Sequence, residues 1–308
     1  MLRPNKNVER KLMVEILSAF GADPGFTLST YRYVGLSSVY YADAVLFHRR
    51  LGISDMISIE REKSRKKRLE FNRPFSCVSV ELGETKEVLP RLEWTKPQLV
   101  WLDFDGGLAL EQFDAFETLS GKLSSGDFVF VSVNAEVSQL RDLKQDGQEL
   151  SPEVALRQQV PEDAVPTDAG SHLTAVAFPE LVGEIWDTYA RSKVLQAGRG
   201  LRFMPLLNLT YADGARMVTY GGVLLDDADR VRVEALNIGQ RFEYVTKGDQ
   251  FVLSIPQLTH KEKLELDRWL PKDGALVSQD LPFELKDSEI EAYCRFYLHY
   301  PAYAEFAP

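Results

Sequence analysis

Five short apolar stretches, each followed by a helical pattern, constrain this chain more than any other feature. They are Tyr31–Val34, Met56–Ile59, Pro74–Glu81, Leu99–Leu102 and Phe128–Val133. Strands that alternate with helices in this way form right-handed crossovers and a parallel sheet. The fourth stretch, Leu99-Val-Trp-Leu102, is apolar throughout. That is the pattern of a central strand covered on both faces. The fold class is therefore α/β.

Between the first two strands the chain reads strand, tight turn, helix, strand. Tyr31, Tyr33 and Val34 favour extended backbone. Gly35 is expected to break the strand, and a residue without Cβ lets a ligand approach the backbone. Ser37 or Ser38 can cap a helix running from Ser38 to Arg50, which Gly52 ends. The second strand delivers Glu60, 25 residues after Gly35, to its carboxyl end. Ligands of open parallel sheets bind outside the carboxyl ends of the strands. An ionised carboxylate there can accept both hydroxyls of a ribose. The functional reading is a nucleoside-containing cofactor; the plain one is a turn glycine and a surface glutamate.

Further along, Leu82-Gly-Glu84 turns out of the third strand. The fourth ends in Asp103-Phe-Asp105-Gly-Gly107, so two carboxylates emerge where strand becomes loop. Between Arg61 and Arg73 lie seven Lys and Arg residues. They read as a solvated helix face, or as a patch attracting an anionic substrate such as RNA.

The net charge, 36 − 46 = −10, argues against a strongly basic nucleic-acid binder overall. Cys77 and Cys294 form no disulfide framework or CxxC pair, which fits a reducing cytoplasm. The amino terminus is polar, without the apolar core of a signal peptide. No apolar run approaches the ~18 residues needed to span a bilayer, so no membrane partner is expected. Four scattered histidines give no metal site or catalytic triad.

After Val133 the strands pause. Residues 135–200 read as a helical insertion, with Ser151-Pro152 and Pro179 opening helices and a loop over 161–170. Two strands follow, Leu201–Thr210 and Ala215–Leu225, joined at Asp213-Gly214, the signal for a type I′ hairpin. An antiparallel hairpin disfavours the purely parallel fold of dehydrogenases. Residues 229–308 read as a separate small α+β domain, leaving 1–228 as the main one. That small domain is expected to hold a hairpin over Phe242–Val245 and Phe251–Ile255. Two helices should follow, capped at Thr259-His-Lys-Glu262 and Ser288-Glu-Ile-Glu291. Its aromatic end, Tyr293 to Phe306, reads as a helix face and a docked tail.

On these elements the chain resembles the class I S-adenosylmethionine-dependent methyltransferases, over roughly residues 10–226. The resemblance rests on Val34-Gly35-Leu-Ser-Ser38, Ile57-Ser-Ile-Glu60, Leu82-Gly-Glu84 and Val100-Trp-Leu-Asp-Phe-Asp105. The chain is also similar to bacterial proteins loosely called O-methyltransferases. The resemblance implies a Rossmann-like, seven-stranded, mostly parallel sheet with a terminal antiparallel hairpin. It implies that Gly35, Leu36, Ser37 and Ser38 cradle the methionine part of S-adenosylmethionine, and that Glu60 holds the ribose. Gly83 and Glu84 would flank the adenine, and Asp103 would lie beside the sulfonium. Asp103 or Asp105 would be the general base for a hydroxyl acceptor. The acceptor itself, whether small molecule, protein or RNA, is open. Ser37 stands where the family commonly has a second glycine. Its side chain would crowd the cofactor or hydrogen-bond its carboxylate.

Two alternatives remain at this level. The chain could be a methyltransferase-fold scaffold without catalysis. Asp103-Phe-Asp105 also has the form of the metal-binding pair of a nucleotide-sugar transferase. That last reading leaves Glu60 and the hairpin unexplained.

Overall fold

The computed structural model describes residues 3–302, apart from 142, 143, 146, 147 and 273. Five strands follow one another in the first half: β1 (Arg32–Leu36), β2 (Asp55–Glu60), β3 (Val78–Leu82), β4 (Gln98–Asp103) and β5 (Phe128–Asn134). The hairpin supplies β6 (Arg202–Ala212) and β7 (Arg216–Leu225), and Phe251–Leu253 forms a short β8. The sheet order is β8-β6-β7-β5-β4-β1-β2-β3. The pairs β1/β2, β1/β4, β2/β3 and β4/β5 are parallel, whereas β5/β7 is antiparallel. This is the mixed α/β sheet expected from the sequence, with eight strands instead of seven. The extra strand is only three residues long.

The central strands are buried along nearly their whole length, as apolar runs on a twice-covered sheet must be. The insertion supplies the helix Phe178–Gln196, which packs its apolar stripe against the helix Leu110–Ser120. Trp186 stacks on Phe113 with centroids 4.4 Å apart, and the Tyr189 hydroxyl donates to the Phe113 carbonyl at 3.0 Å. Burying such aromatics is the largest apolar contribution one residue type can make. Two 3₁₀ turns, Glu162–Ala164 and Ala169–His172, stand where a loop over 161–170 was expected, and they bury Ala164 and Ala169. A two-stranded ribbon, Lys144–Gln145 with Gln148–Glu149, completes the insertion.

Local differences from the sequence reading have local causes. Gly35 lies inside β1, so the turn starts at Ser37. The next helix, α2, runs Ala42–Leu51; Tyr41, left-handed at φ 47°, precedes it, and neither serine caps it. The Ser38 hydroxyl instead accepts from the Tyr40 amide. The basic stretch divides into a 3₁₀ turn, Lys63–Arg65, and α3 (Lys66–Asn72). The β6–β7 turn spans residues 213–215 and has positive φ only at Gly214, which rules out type I′. No strand forms over Phe242–Val245; this segment leaves a short helix, Ile238–Arg241, as a turn. Tyr244 is held there by its hydroxyl, which donates to Glu15 at 2.7 Å.

Two compact units divide the chain. The larger comprises 14–210 and 215–251, and the smaller comprises 1–13, 211–214 and 252–308. Within the smaller, Asp213 accepts from the Asn5 and Lys6 amides at the start of α1 (Pro4–Phe20), at 3.2 and 2.8 Å. A carboxylate on those orphan donors also complements the positive end of the helix. The Thr259/Glu262 capping box forms as read, ahead of the helix His260–Asp267. The last helix begins at Asp287, with Glu289 accepting from the Lys286 amide. That puts its start ahead of the expected Ser288–Glu291 box. Tyr293, Phe296 and Tyr300 are buried as expected, and Tyr303 and Phe306 lie outside the described residues.

Candidate functional site

Parallel pairing brings the carboxyl ends of the strands together. Leu36 pairs with Ile59, Glu60 with Leu82, and Asp103 with Ser132. The loops that leave these ends are tied to neighbouring strands. Ser37 donates its amide to Ile59 O, Gly83 to Glu60 O, and Phe104 to Ser132 O, all within 2.9 Å. A cavity of about 310 Å³ opens among them, in the size range of small-molecule sites. Leu36, Ser37, Glu60, Gly83, Glu84, Asp103 and Asp105 all line it. The structure thus collects residues spread over 70 positions of sequence.

Glu60 is the most constrained of them, at 4% exposure. Its Oε1 accepts from the Glu62 amide at 2.9 Å. Its Oε2 accepts from Ser37 Oγ at 2.6 Å and lies 3.2 Å from Arg65 Nη1. A carboxylate offers about four lone-pair positions, so three are engaged. Gly83 needs φ +141°, where side chains are unfavourable; a Cβ would also sit 3.0 Å from Glu87 Oε2. Glu84 pairs with Lys86 at 2.7 Å, and that ammonium holds its carboxyl below the usual range. Asp103 is half-buried at the end of β4, and Asp105 is exposed in the loop beyond.

Two expected residues stand elsewhere. Gly35 does not line the cavity. A Cβ at this position would meet the Tyr33 hydroxyl at 2.2 Å, so glycine is required here by the Tyr33 ring. Ser38 lines a separate crevice of about 20 Å³ with Tyr33 and Tyr41.

Two residues were not singled out from the sequence. Arg65 lay inside the basic stretch, where nothing separated it from six other cations. Thr85 is 4% exposed and lines the cavity, yet its Oγ1 has no hydrogen-bond partner among the described residues. Its only sequence signal was its place directly after Gly83-Glu84. A buried hydroxyl left without a partner is costly, so it marks a position where a ligand would supply one.

The lining carries six carboxylates (Glu60, Glu62, Glu84, Asp103, Asp105 and Glu111) against Arg61 and Arg65. Such an excess concentrates a cationic ligand. Among the described residues, no three His, Cys, Asp or Glu side chains are grouped to hold a metal ion. No helix among them is long and apolar enough to cross a membrane.

A parallel sheet ending in an antiparallel pair, with an acidic residue closing β2, defines the class I S-adenosylmethionine-dependent methyltransferases. The chain belongs to the family described as "Putative O-methyltransferase", which matches residues 1–308. A methyltransferase of this class draws its methyl group from S-adenosylmethionine. The residues present fit it: a buried carboxylate for a diol, an unpartnered hydroxyl, and an acidic wall for a sulfonium.

Solved structures similar to the chain include an S-adenosylmethionine-dependent methyltransferase from Mesorhizobium loti (16% identity, 44% of this chain and 62% of that one, TM-score 0.30). Trm1 from Pyrococcus horikoshii with S-adenosyl-L-methionine is another (12%, 76% and 58%, 0.42). Cofactor-bound Rv0187 from MTB is a third (14%, 74% and 83%, 0.40). The chain thus spans less than two thirds of the first two. No curated protein matches it.

Proposed function

We propose that the protein transfers the methyl group of S-adenosylmethionine to a hydroxyl oxygen of an acceptor, in the cytoplasm. The observation that carries this reading is Glu60, buried at the end of β2 with its carboxylate fixed by three donors beside the open cavity. Bound S-adenosylmethionine supplies an electrophilic methyl on a cationic sulfur. Glu60 would accept the ribose hydroxyls. Leu36 and Ser37 would hold the methionine part, and Gly83, Glu84 and Thr85 the adenine. Asp103 would stand by the sulfonium, where a carboxylate offsets positive charge. Asp103 or Asp105 would take the proton from the attacking hydroxyl. The remaining task is to hold nucleophile and methyl in line, which is a positioning problem.

A scaffold without catalysis is favoured by one observation: the Arg65 guanidinium already pairs with Glu60 Oε2. Calorimetric titration with S-adenosylmethionine and S-adenosylhomocysteine decides between them. Micromolar binding that disappears in Glu60→Ala supports the enzyme. Absence of binding by folded native protein leaves the scaffold.

A further inference from the structure

The amino ends of the parallel strands carry a second cavity, within the larger unit. β7 runs antiparallel to β5 and pairs Val223 with Phe128, the first residue of β5. Leu225 and the start of β6 therefore lie at the end of the sheet opposite Glu60 and Asp103. A cleft of about 570 Å³ opens there, larger than the cofactor cavity. Its walls are apolar: Phe203, Leu225, Val233 and Ile238 contribute side chains that are at most 5% exposed.

The rim is basic. Arg191, Arg202, Arg230 and Lys247 line the cleft with one acid, Glu234. This runs against a chain whose net charge is −10. Two of the cations are engaged. Arg191 pairs with Asp187 at 2.8 Å and donates to the Lys247 carbonyl. Arg230 lies 3.9 Å from Asp227 and 4.0 Å from Glu234. Arg202 and Lys247 are exposed and make no ion pair among the described residues.

The backbone adds an independent sign. Among the described residues, three non-glycine residues have left-handed backbone, and two of them, Asn237 (φ 51°) and Lys247 (φ 60°), line this cleft. Lysine rarely adopts that conformation, and strain of this kind collects at ligand sites. Here it places a cation at the mouth of an apolar cleft.

We propose that this cleft binds an amphipathic anion, specifically a fatty carboxylate: its chain lies on the apolar walls and its head meets Arg202 and Lys247. The inference is independent of the methyl-transfer reading, since the cleft lies at the other end of the sheet. It makes the cleft a second binding site, separate from the chemistry.

The test is calorimetric titration of the full chain with decanoate and with decanol, both below aggregation. The variants are Arg202→Ala with Lys247→Gly, chosen because an exposed strand-end residue and a left-handed position tolerate them. Decanoate should bind at least tenfold more tightly than decanol. The double variant should lose at least tenfold in decanoate affinity while its S-adenosylmethionine affinity and melting temperature stay within error. Equal binding of acid and alcohol, unchanged binding in the double variant, or no decanoate binding overturns the proposal. So does a concentration-dependent dimer that the same substitutions abolish, because a second copy would then fill the cleft.

Discussion

The Ser37 hydroxyl donates to Glu60 Oε2 at 2.6 Å, joining the loop after β1 to the end of β2 across 23 residues of sequence. A serine at this position therefore does not simply obstruct a glycine loop; it orients the carboxylate. Hydrogen bonds to charged groups contribute about 1.5–3 kcal/mol. Glu60 keeps its other donors in Ser37→Ala, so the lower end applies, roughly a tenfold loss of cofactor affinity. The loss should be equal for S-adenosylmethionine and for adenosine, because both reach Glu60 through ribose. A loss confined to S-adenosylmethionine would place the hydroxyl on the methionine part instead.

Arg65 competes for the same oxygen. Its guanidinium lies 3.2 Å from Glu60 Oε2 and is 39% exposed. A half-exposed ion pair is worth at most about 1 kcal/mol. A ribose diol binding to both carboxylate oxygens needs the position that Arg65 takes. Arg65→Ala should therefore tighten adenosine binding up to about fivefold, and the gain should shrink as salt screens the pair in the native protein. Weaker adenosine binding in the variant would mean that Arg65 contacts the ligand itself.

How much of this was legible depended on whether the cause lay in the sequence. β4 and β5 were, because a strand covered on both faces must be apolar along its length. Glu60 and Asp103 were, because each ends such a run. The Thr259 capping box was legible as a local pattern. Gly35 was misplaced because the reason for glycine is the Tyr33 ring folding over it, which a turn reading does not contain. The Phe242–Val245 segment has strand-forming residues, yet the Tyr244–Glu15 bond fixes it as a turn across 229 residues. The Ser37–Glu60 bond and the unpartnered Thr85 hydroxyl arise only when separate strand ends meet.

Thr85→Val separates a ligand role from a packing role. Valine keeps the shape and removes a buried hydroxyl that has no partner. Replacing such a group with an apolar one of equal size is neutral or stabilising. The ligand-free variant should therefore melt at or above the native temperature, while the rise produced by S-adenosylmethionine should be smaller. Differential scanning fluorimetry with and without cofactor reads both. An unchanged cofactor-induced rise would remove Thr85 from the site.

Asp127 sets a pH dependence distant from the chemistry. It precedes β5, is 3% exposed, and accepts from the Gln98 and Ser124 amides, each at 2.7 Å. Burial raises its carboxyl pKa to about 7, against the two amide donors and Arg199, which favour the charge. The unfolded chain titrates near the ordinary aspartate value of 3.8, so between that pH and about 7 the folded state binds the extra proton. Stability then falls as pH rises through this window, with a slope of up to ~1.4 kcal/mol per pH unit from this one group. The contribution is fully present below the unfolded value and gone above the folded one. Asp127→Asn removes the titration but leaves one amide short of an acceptor, so the slopes, not the absolute stabilities, carry the test. Urea unfolding at pH 5, 6, 7 and 8 should show the native protein's advantage over the variant shrinking up to pH 7 and then levelling. An advantage that grows with pH would mean that the two amides outweigh burial and that Asp127 is a charged cap throughout.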